Sequence, residues 1–435
     1  MLSVPDFEPR LQRRYQQLVK EHLHTGESVA AGLRALPGTN QAFASTQAAW
    51  RFYANARVGL AALAAPLLTS GSKMVASQCQ AHALVMHDWS DLHYGNHTSK
   101  QDRLKLGKDY GYQMGAAVVV SDRTGQPLAP VSLSLWAADG IHTTREAQVV
   151  ADQSHLDELS ATIRALEAAK WTVPLVHLSD RESDSIFHLR DWDGEGWRFV
   201  VRAKAGPFVT WDGQRLRLGQ IAEHVGWRAS GAVQLTADVI AQQLVAETEV
   251  VITRRSQQRN RRRTGRVRRG EPATPLRLRL VVVHLRLPDE TLVGEWFLLT
   301  NLGDDVSAEV IAEWYYWRWV IESYFKLCKS AGHHLEQWQQ ESAEALAKRL
   351  LIAAMASVVV WQVQRETSPA GEQLRHLLLR LSGRQVRRVH PTASALLAGM
   401  WVLLAILDVL QEYDLRQLTQ MASRVFPETP LGDTG

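Results

Sequence analysis

"TVPLVHLSDRESDSIFHLRDW", residues 172–192, reads as a short buried strand, an acid at its end and then a helix. Upstream, "AHALVMHD" (81–88) is a second short apolar run that ends on an acid. Between them, "GAAVVVSDRTGQPLAPVSLSLWAAD" (115–139) reads as a strand, a turn at "DRTGQP" and a second strand. "REAQVVADQSHLDELSATIRALEAAK" (145–170) reads as helix, and "WRFVVRAKAG" (197–206) as a further strand. Alternation of this kind predicts an α/β core.

The 435 residues suffice for two or three domains. An apolar fraction of 46% and a charged fraction of 22% are ordinary for a soluble chain with a large core. Net charge is +4, yet Arg254 to Gly270, "RRSQQRNRRRTGRVRRG", holds nine arginines and no acid. Without those nine charges the rest of the chain stands at −5, so one segment makes the protein basic. A polyanionic partner, nucleic acid, fits that imbalance.

The two cysteines, Cys79 and Cys328, have no metal-ligand spacing and suit a reducing, cytoplasmic compartment. The first residues lack the apolar core of a signal peptide. "ALLAGMWVLLAIL" (395–407) is an apolar run of 13 residues before Asp408, short of the roughly 20 a spanning helix needs. It is expected as a buried helix, and no membrane partner is expected.

Residues 1–72 read as helical. "EPRLQRRYQQLVKEHLH" sets Leu11, Tyr15, Leu18 and Leu23 at helical spacing. After a break at "LPGTNQ", "STQAAWRFYANARV" starts with Ser45 and Thr46 as plausible caps and carries Trp50, Phe52 and Tyr53 beside Arg51 and Arg57. A bundle with a solvated basic face and a DNA-binding domain both fit. About 205–300 reads as β-rich, with the arginine run as a hairpin loop, and the chain beyond Asp304 as helical. The last residues, "FPETPLGDTG", read as a flexible tail.

Asp88 and Asp180 occupy the same kind of place, and ligands gather outside the carboxyl ends of strands in α/β sheets. Each acid alone also fits a turn or helix N-cap. A third acid lies in "YYWRWVIESYFKLCK" (315–329). On one continuous helix, Tyr315, Arg318, Trp319, Glu322, Lys326 and Lys329 share an arc of about 100°. Trp317, Val320, Ile321, Tyr324, Phe325, Leu327 and Cys328 lie opposite. Salt bridges between Glu322 and its i ± 4 neighbours are the plain reading, but they leave the two aromatics on that face unexplained. Phosphodiester chemistry accounts for both. Carboxylates hold Mg²⁺, Arg and Lys hold phosphates, and Trp stacks on an unpaired base. No Ser-His-Asp set, Walker loop or zinc motif is evident.

Tyr315-x2-Arg318-x3-Glu322-x6-Lys329 resembles the Tyr-Arg-Glu-Lys signature of bacterial DDE transposases of the insertion-sequence-four family, Tn-five-like. "SDRESDSIFHL" resembles that family's segment around its second catalytic Asp, "HDWSDLHYGNHTSKQDR" the first, "RFVVRAKAG" the strand after the second, and "QAAWRFYANARV" its N-terminal DNA-binding motif. The likeness spans about residues 8–365. It implies an RNase H-like catalytic core at 73–370 with a β-rich insertion at about 205–300. It further implies a helical DNA-binding domain at 1–72 and a helical C-terminal region at 371–435 suited to dimerisation.

The resemblance implies cut-and-paste transposition on double-stranded DNA, both transposon ends and target, inside a homodimer: nicking, hairpin formation and opening, then strand transfer. It assigns Asp88, Asp180 and Glu322 as catalytic ligands of two Mg²⁺ ions, with Mn²⁺ able to substitute. Tyr315, Arg318 and Lys329 would hold the 5′ phosphate, and Lys326 would add a basic contact. Trp319 would stack on a flipped base and Trp296 would take its vacated place. Arg202 and Arg51 would contact DNA. Asp91 rivals Asp88, which is preferred because it directly ends the apolar run. An inactive, domesticated DNA-binding relative is one alternative, although it has no reason to retain all three acids. A simple Mg²⁺ nuclease is another, and it would need neither the Tyr-Arg-Lys trio nor the tryptophans.

Overall fold

The apolar run 83–86 and its counterpart 175–178 lie side by side as parallel strands, with Ala83 opposite Leu175 and Met86 opposite Leu178. The computed structural model describes residues 3–24, 39–236, 239–254, 257–259, 267–269, 274–383 and 391–425. Two compact units emerge: Ala64–Leu92 with Asp102–Phe325, and Met1–Leu63 with His93–Gln101 and Lys326–Gly435.

The first unit is a mixed α/β fold built on one thirteen-stranded sheet. Its path runs Gly140–Thr143, Pro127–Ala137, Asp109–Ser121, Ala83–His93, Leu175–Ser179 and Arg198–Ala203. It continues through Leu292–Thr300, Leu276–Arg286, Val239–Ile252, Phe208–Trp211 and Gln214–Arg217, while Leu104–Leu106 and Arg228–Thr236 pair off this path. The strands of the β-rich stretch therefore extend the same sheet, Phe297 pairing with Ala203 and Thr300 with Val200.

Alternation of residue type explains the core. In "LRLRL" (276–280) the leucines are buried, while Arg277 and Arg279 point to the other face. Arg277 there pairs with Glu249 at 2.7 Å, and Arg279 with Glu247. Leu276, Leu278, Leu280, Val282, Phe297 and Leu299 pack with Leu159, Leu189 and Trp192 from the helices His155–Glu167 and Ile186–Gly194. Each fully buried side chain of this kind contributes about 1.5–3 kcal/mol.

Several expected elements differ. The helix expected at 145–170 spans only His155–Glu167, because Ser154 caps it by accepting from Asp157 N. The helix Thr39–Tyr53 begins well before Ser45 and Thr46, which are interior, since the alanines around them propagate helix readily. The strands flanking the arginine run pair antiparallel, Ile252 opposite Leu276, and 257–259 pairs with 267–269. Most of the arginine run, residues 36–38 of the "LPGTNQ" break and the tail at 426–435 lie outside the described residues, while Thr39–Gln41 of that expected break already belong to the helix.

The second unit is helical. Ala343–Arg365 is buried along most of its length and capped by Ser342, and Pro9–His24 packs against it. The helix expected to be buried runs Ala393–Glu412, but only Ala395–Met400 is buried; Val402, Ile406, Leu407 and Leu410 are exposed. By length and composition alone this helix could cross a membrane. Asp408 interrupts its apolar surface and pairs with Lys20 of the first helix at 3.5 Å.

Candidate active site

Parallel strands put their carboxyl ends on one edge of a sheet, and this brings Asp88 and Asp180 together. Asp180 follows Ser179, the last residue of its strand, and caps the short helical turn Arg181–Ser183 by accepting from Glu182 N at 2.8 Å. Asp88 does not end its strand, contrary to expectation, because Ala83–His93 continues past it. What ends is the pairing with Leu175–Ser179, last made at Met86. Asp88 Oδ1 accepts from Trp89 N at 2.9 Å. The rival Asp91 is exposed and accepts from Gln113.

The continuous helix expected at 315–329 is broken. Ala308–Tyr316 and Trp319–Cys328 are separate helices, and the tight bonds Arg318 N→Tyr315 O (3.1 Å) and Ile321 N→Arg318 O (3.1 Å) bridge them. Trp317 lies at the break, and its ring lies over Gly125 in the 121–127 turn.

The break aims Arg318 at the acids. Its Nη1 donates to Asp88 Oδ2 at 2.9 Å and its Nη2 to Glu322 Oε1 at 3.0 Å. Arg318 is 8% exposed. Burial opposes its charge, but Tyr315, Asp88, Glu322 and Asp180 outweigh burial and raise its pKa. Burial also pushes the Asp88 carboxyl up to about 6, against the pull of Arg318 and the Trp89 N–H; the nearby Asp180 charge adds to the rise.

The face expected to be shared is thus divided. Tyr315 is 3% exposed and meets Trp296 edge to face at 5.3 Å between ring centres. Its hydroxyl, its pKa raised by burial, faces Arg318 without closing a hydrogen bond of normal geometry. Trp296 is buried as well, while Trp319 is 56% exposed. Arg202 donates to Glu295 O at 3.1 Å and lies near Tyr315.

In the helical unit, Lys326 is exposed and Lys329 stands 3.8 Å from Glu336. Arg51 there lines an open groove with Arg10, Arg13, Arg14 and Glu8.

Two features escaped the sequence reading. Trp89 Nε1 donates to Glu182 Oε2 at 2.8 Å, linking the residues that follow the two aspartates. Beneath them His87 and His177 bond at 2.8 Å, burial lowering the pKa of both. Adjacency to the two acids was the only signal for either. Among the described residues, the group of ligand atoms all within 4.8 Å of one another is Asp102, Asp139 and His142. The oxygens of Asp88, Asp180 and Glu322 are not drawn so close, and Arg318 stands between two of those acids.

Comparison with known proteins gives three findings. A search of curated proteins finds no match. Among solved structures, the chain is similar to one in a cryo-EM structure of the piggyBac transposase synaptic complex with hairpin DNA, at 9% identity and a TM-score of 0.32. That match covers 82% of this chain, which spans only 55% of the other chain's length. The family model described as "Transposase DDE domain" matches residues 80–359, well over half of the sequence. The chain belongs to the transposase DDE domain family.

Proposed function

We propose that the protein is a cut-and-paste DNA transposase of the Tn-five-like, insertion-sequence-four type. The observation that carries this reading is the convergence of Asp88 and Glu322 on Arg318 beside Asp180, just past the parallel pairing of Ala83–Met86 with Leu175–Leu178. The order of the strands from Pro127–Ala137 to Arg198–Ala203, with a parallel centre, supports an RNase H-like core.

The donor set fits hard divalent cations such as Mg²⁺ or Mn²⁺, since all three groups are carboxylates. The raised Asp88 pKa marks a carboxylate short of compensating positive charge, which a cation would supply. Asp88, Asp180 and Glu322 would hold the ions; when bound, paired ions activate an attacking oxygen and stabilise a leaving one. Arg318, already forked between two carboxylates, has the planar geometry to hold a phosphate of the cleaved end. Exposed Trp319 offers a ring to an unstacked base. The N-terminal arginine groove, Arg202 and the arginine run are phosphate contacts in this reading, and two copies of the chain assemble on paired ends.

The test is cleavage of end-containing duplex DNA in Mg²⁺. Glu322→Ala and Asp88→Ala are expected to abolish nicking and leave end binding within about threefold of the parent. Normal nicking by either variant would overturn the assignment.

A further inference from the structure

Asp88 and Asp180 are joined through their own neighbours. The Trp89 backbone N–H donates to Asp88 Oδ1 at 2.9 Å, and the Glu182 backbone N–H donates to Asp180 Oδ1 at 2.8 Å. The side chains of those two donors then meet, Trp89 Nε1–H on Glu182 Oε2 at 2.8 Å. Parallel pairing of the two strands closes the ring.

We propose that Trp89 and Glu182 act as a strut that fixes the separation and orientation of Asp88 and Asp180. The inference rests on the reading of those aspartates as a metal-holding pair. Tryptophan suits the task because it is long, has few rotamers and carries one donor at its far edge. The indole is also buttressed. His155 lies against it at 4.7 Å between ring centres, and Trp136 lies against His155 at 4.9 Å. His155 is tied in turn to Gln113 at 3.2 Å. The indole therefore cannot swing without breaking these tilted and edge-on ring contacts, and Glu182 is held where the indole N–H points. Each aspartate gives one oxygen to a backbone N–H whose position depends on the strut. Trp89 and Glu182 are positioning residues, since neither is asked to touch DNA or metal.

The test uses the full chain and Mn²⁺ alone, read as a metal-induced rise in melting temperature without DNA. The Mg²⁺ dependence of end nicking is read in parallel. Trp89→Phe, which keeps the ring and removes the N–H, and Glu182→Ala are each expected to raise the half-saturating metal concentration about tenfold. The double variant should be no worse than either single one, because both break the same link. Glu182→Gln retains an acceptor oxygen and should recover most of the loss. Melting of the metal-free variants near the parent temperature separates positioning from general unfolding. Additive losses, or unchanged metal dependence in both single variants while Asp88→Asn abolishes the metal response, would overturn the strut and leave the site reading intact. A full metal response in Asp88→Asn would take down both.

Discussion

Arg318 donates to Asp88 at 2.9 Å, joining residues 230 positions apart in the chain. Both groups are largely buried, and the same guanidinium also binds Glu322. Among the described residues, it is the cation that the structure sets against both Asp88 and Glu322. Removing one partner of a buried ion pair leaves the other uncompensated, so Arg318→Ala is expected to lower unfolding free energy by about 3 kcal/mol. Arg318→Lys should recover less than half, because a point charge cannot fork between two carboxylates. Urea denaturation in EDTA and in Mn²⁺ checks this. The deficit should narrow in Mn²⁺, and equal stability of Arg318→Ala in EDTA would refute the compensating role.

Tyr315 gives the opposite pattern. Its hydroxyl is buried without a well-formed hydrogen bond, so deleting it removes little that stabilises the fold. Tyr315→Phe should change unfolding free energy by less than about 1 kcal/mol. If the hydroxyl reaches a DNA phosphate, hairpin formation should slow all the same. Unchanged hairpin kinetics would confine Tyr315 to packing against Trp296.

These two residues mark what the sequence could convey. Asp88 and Asp180 were legible because an apolar run followed by an acid is a local pattern. The placement of Tyr315 was not, because a helical wheel assumes an unbroken helix and nothing in "YYWRWV" marks the break. The break is imposed by tertiary contact, with Trp317 over the 121–127 turn and Arg318 drawn to Asp88. The Trp89–Glu182 bond spans 93 positions and depends on strand register, which residue type does not encode. The β-rich stretch was legible as strands, but its fusion with the sheet that carries Asp88 and Asp180 rests on one pairing, Leu292–Thr300 with Arg198–Ala203.

Gly125 tests that tertiary origin. Its φ is +66°, and an added Cβ would lie 2.5 Å from the Trp317 ring. Gly125→Ala combines left-handed backbone strain with that clash, so a loss of at least about 2 kcal/mol is expected. Pushing Trp317 aside also moves Arg318, so nicking should fall by about tenfold or more. Full nicking activity in a destabilised Gly125→Ala protein would separate the turn from the site.

Acid should destabilise the helical unit through His333. Burial, with help from the Arg349 charge, lowers its pKa from 6.5 to about 3 in the folded state. The unfolded chain takes up a proton below 6.5 that the folded one refuses, so stability is complete above 6.5 and falls as pH drops towards 3. Between pH 7 and pH 5 this group alone accounts for a loss of about 2 kcal/mol. His333→Gln should remove that share of the pH dependence, read from denaturation curves at both pH values. An unchanged slope would mean His333 is protonated in the folded protein or already shielded in the unfolded chain.

Trp319 is the one exposed tryptophan among the described residues. At 56% exposed on the first turn of its helix, it contributes little to the core, so Trp319→Ala should alter stability by less than about 0.5 kcal/mol. In the proposed reaction, the exposed ring next to the Arg318 bridge would receive a base leaving the duplex. Stacking of that kind is worth about 1–3 kcal/mol per base, or roughly tenfold to a hundredfold in rate. Hairpin formation forces the terminal nucleotides into a tight bend, whereas first-strand nicking leaves the duplex stacked. Trp319→Ala should therefore slow hairpin formation by at least about tenfold and nicking by much less. Equal loss at both steps would assign the ring to general DNA affinity, and no loss at either would leave it outside the reaction.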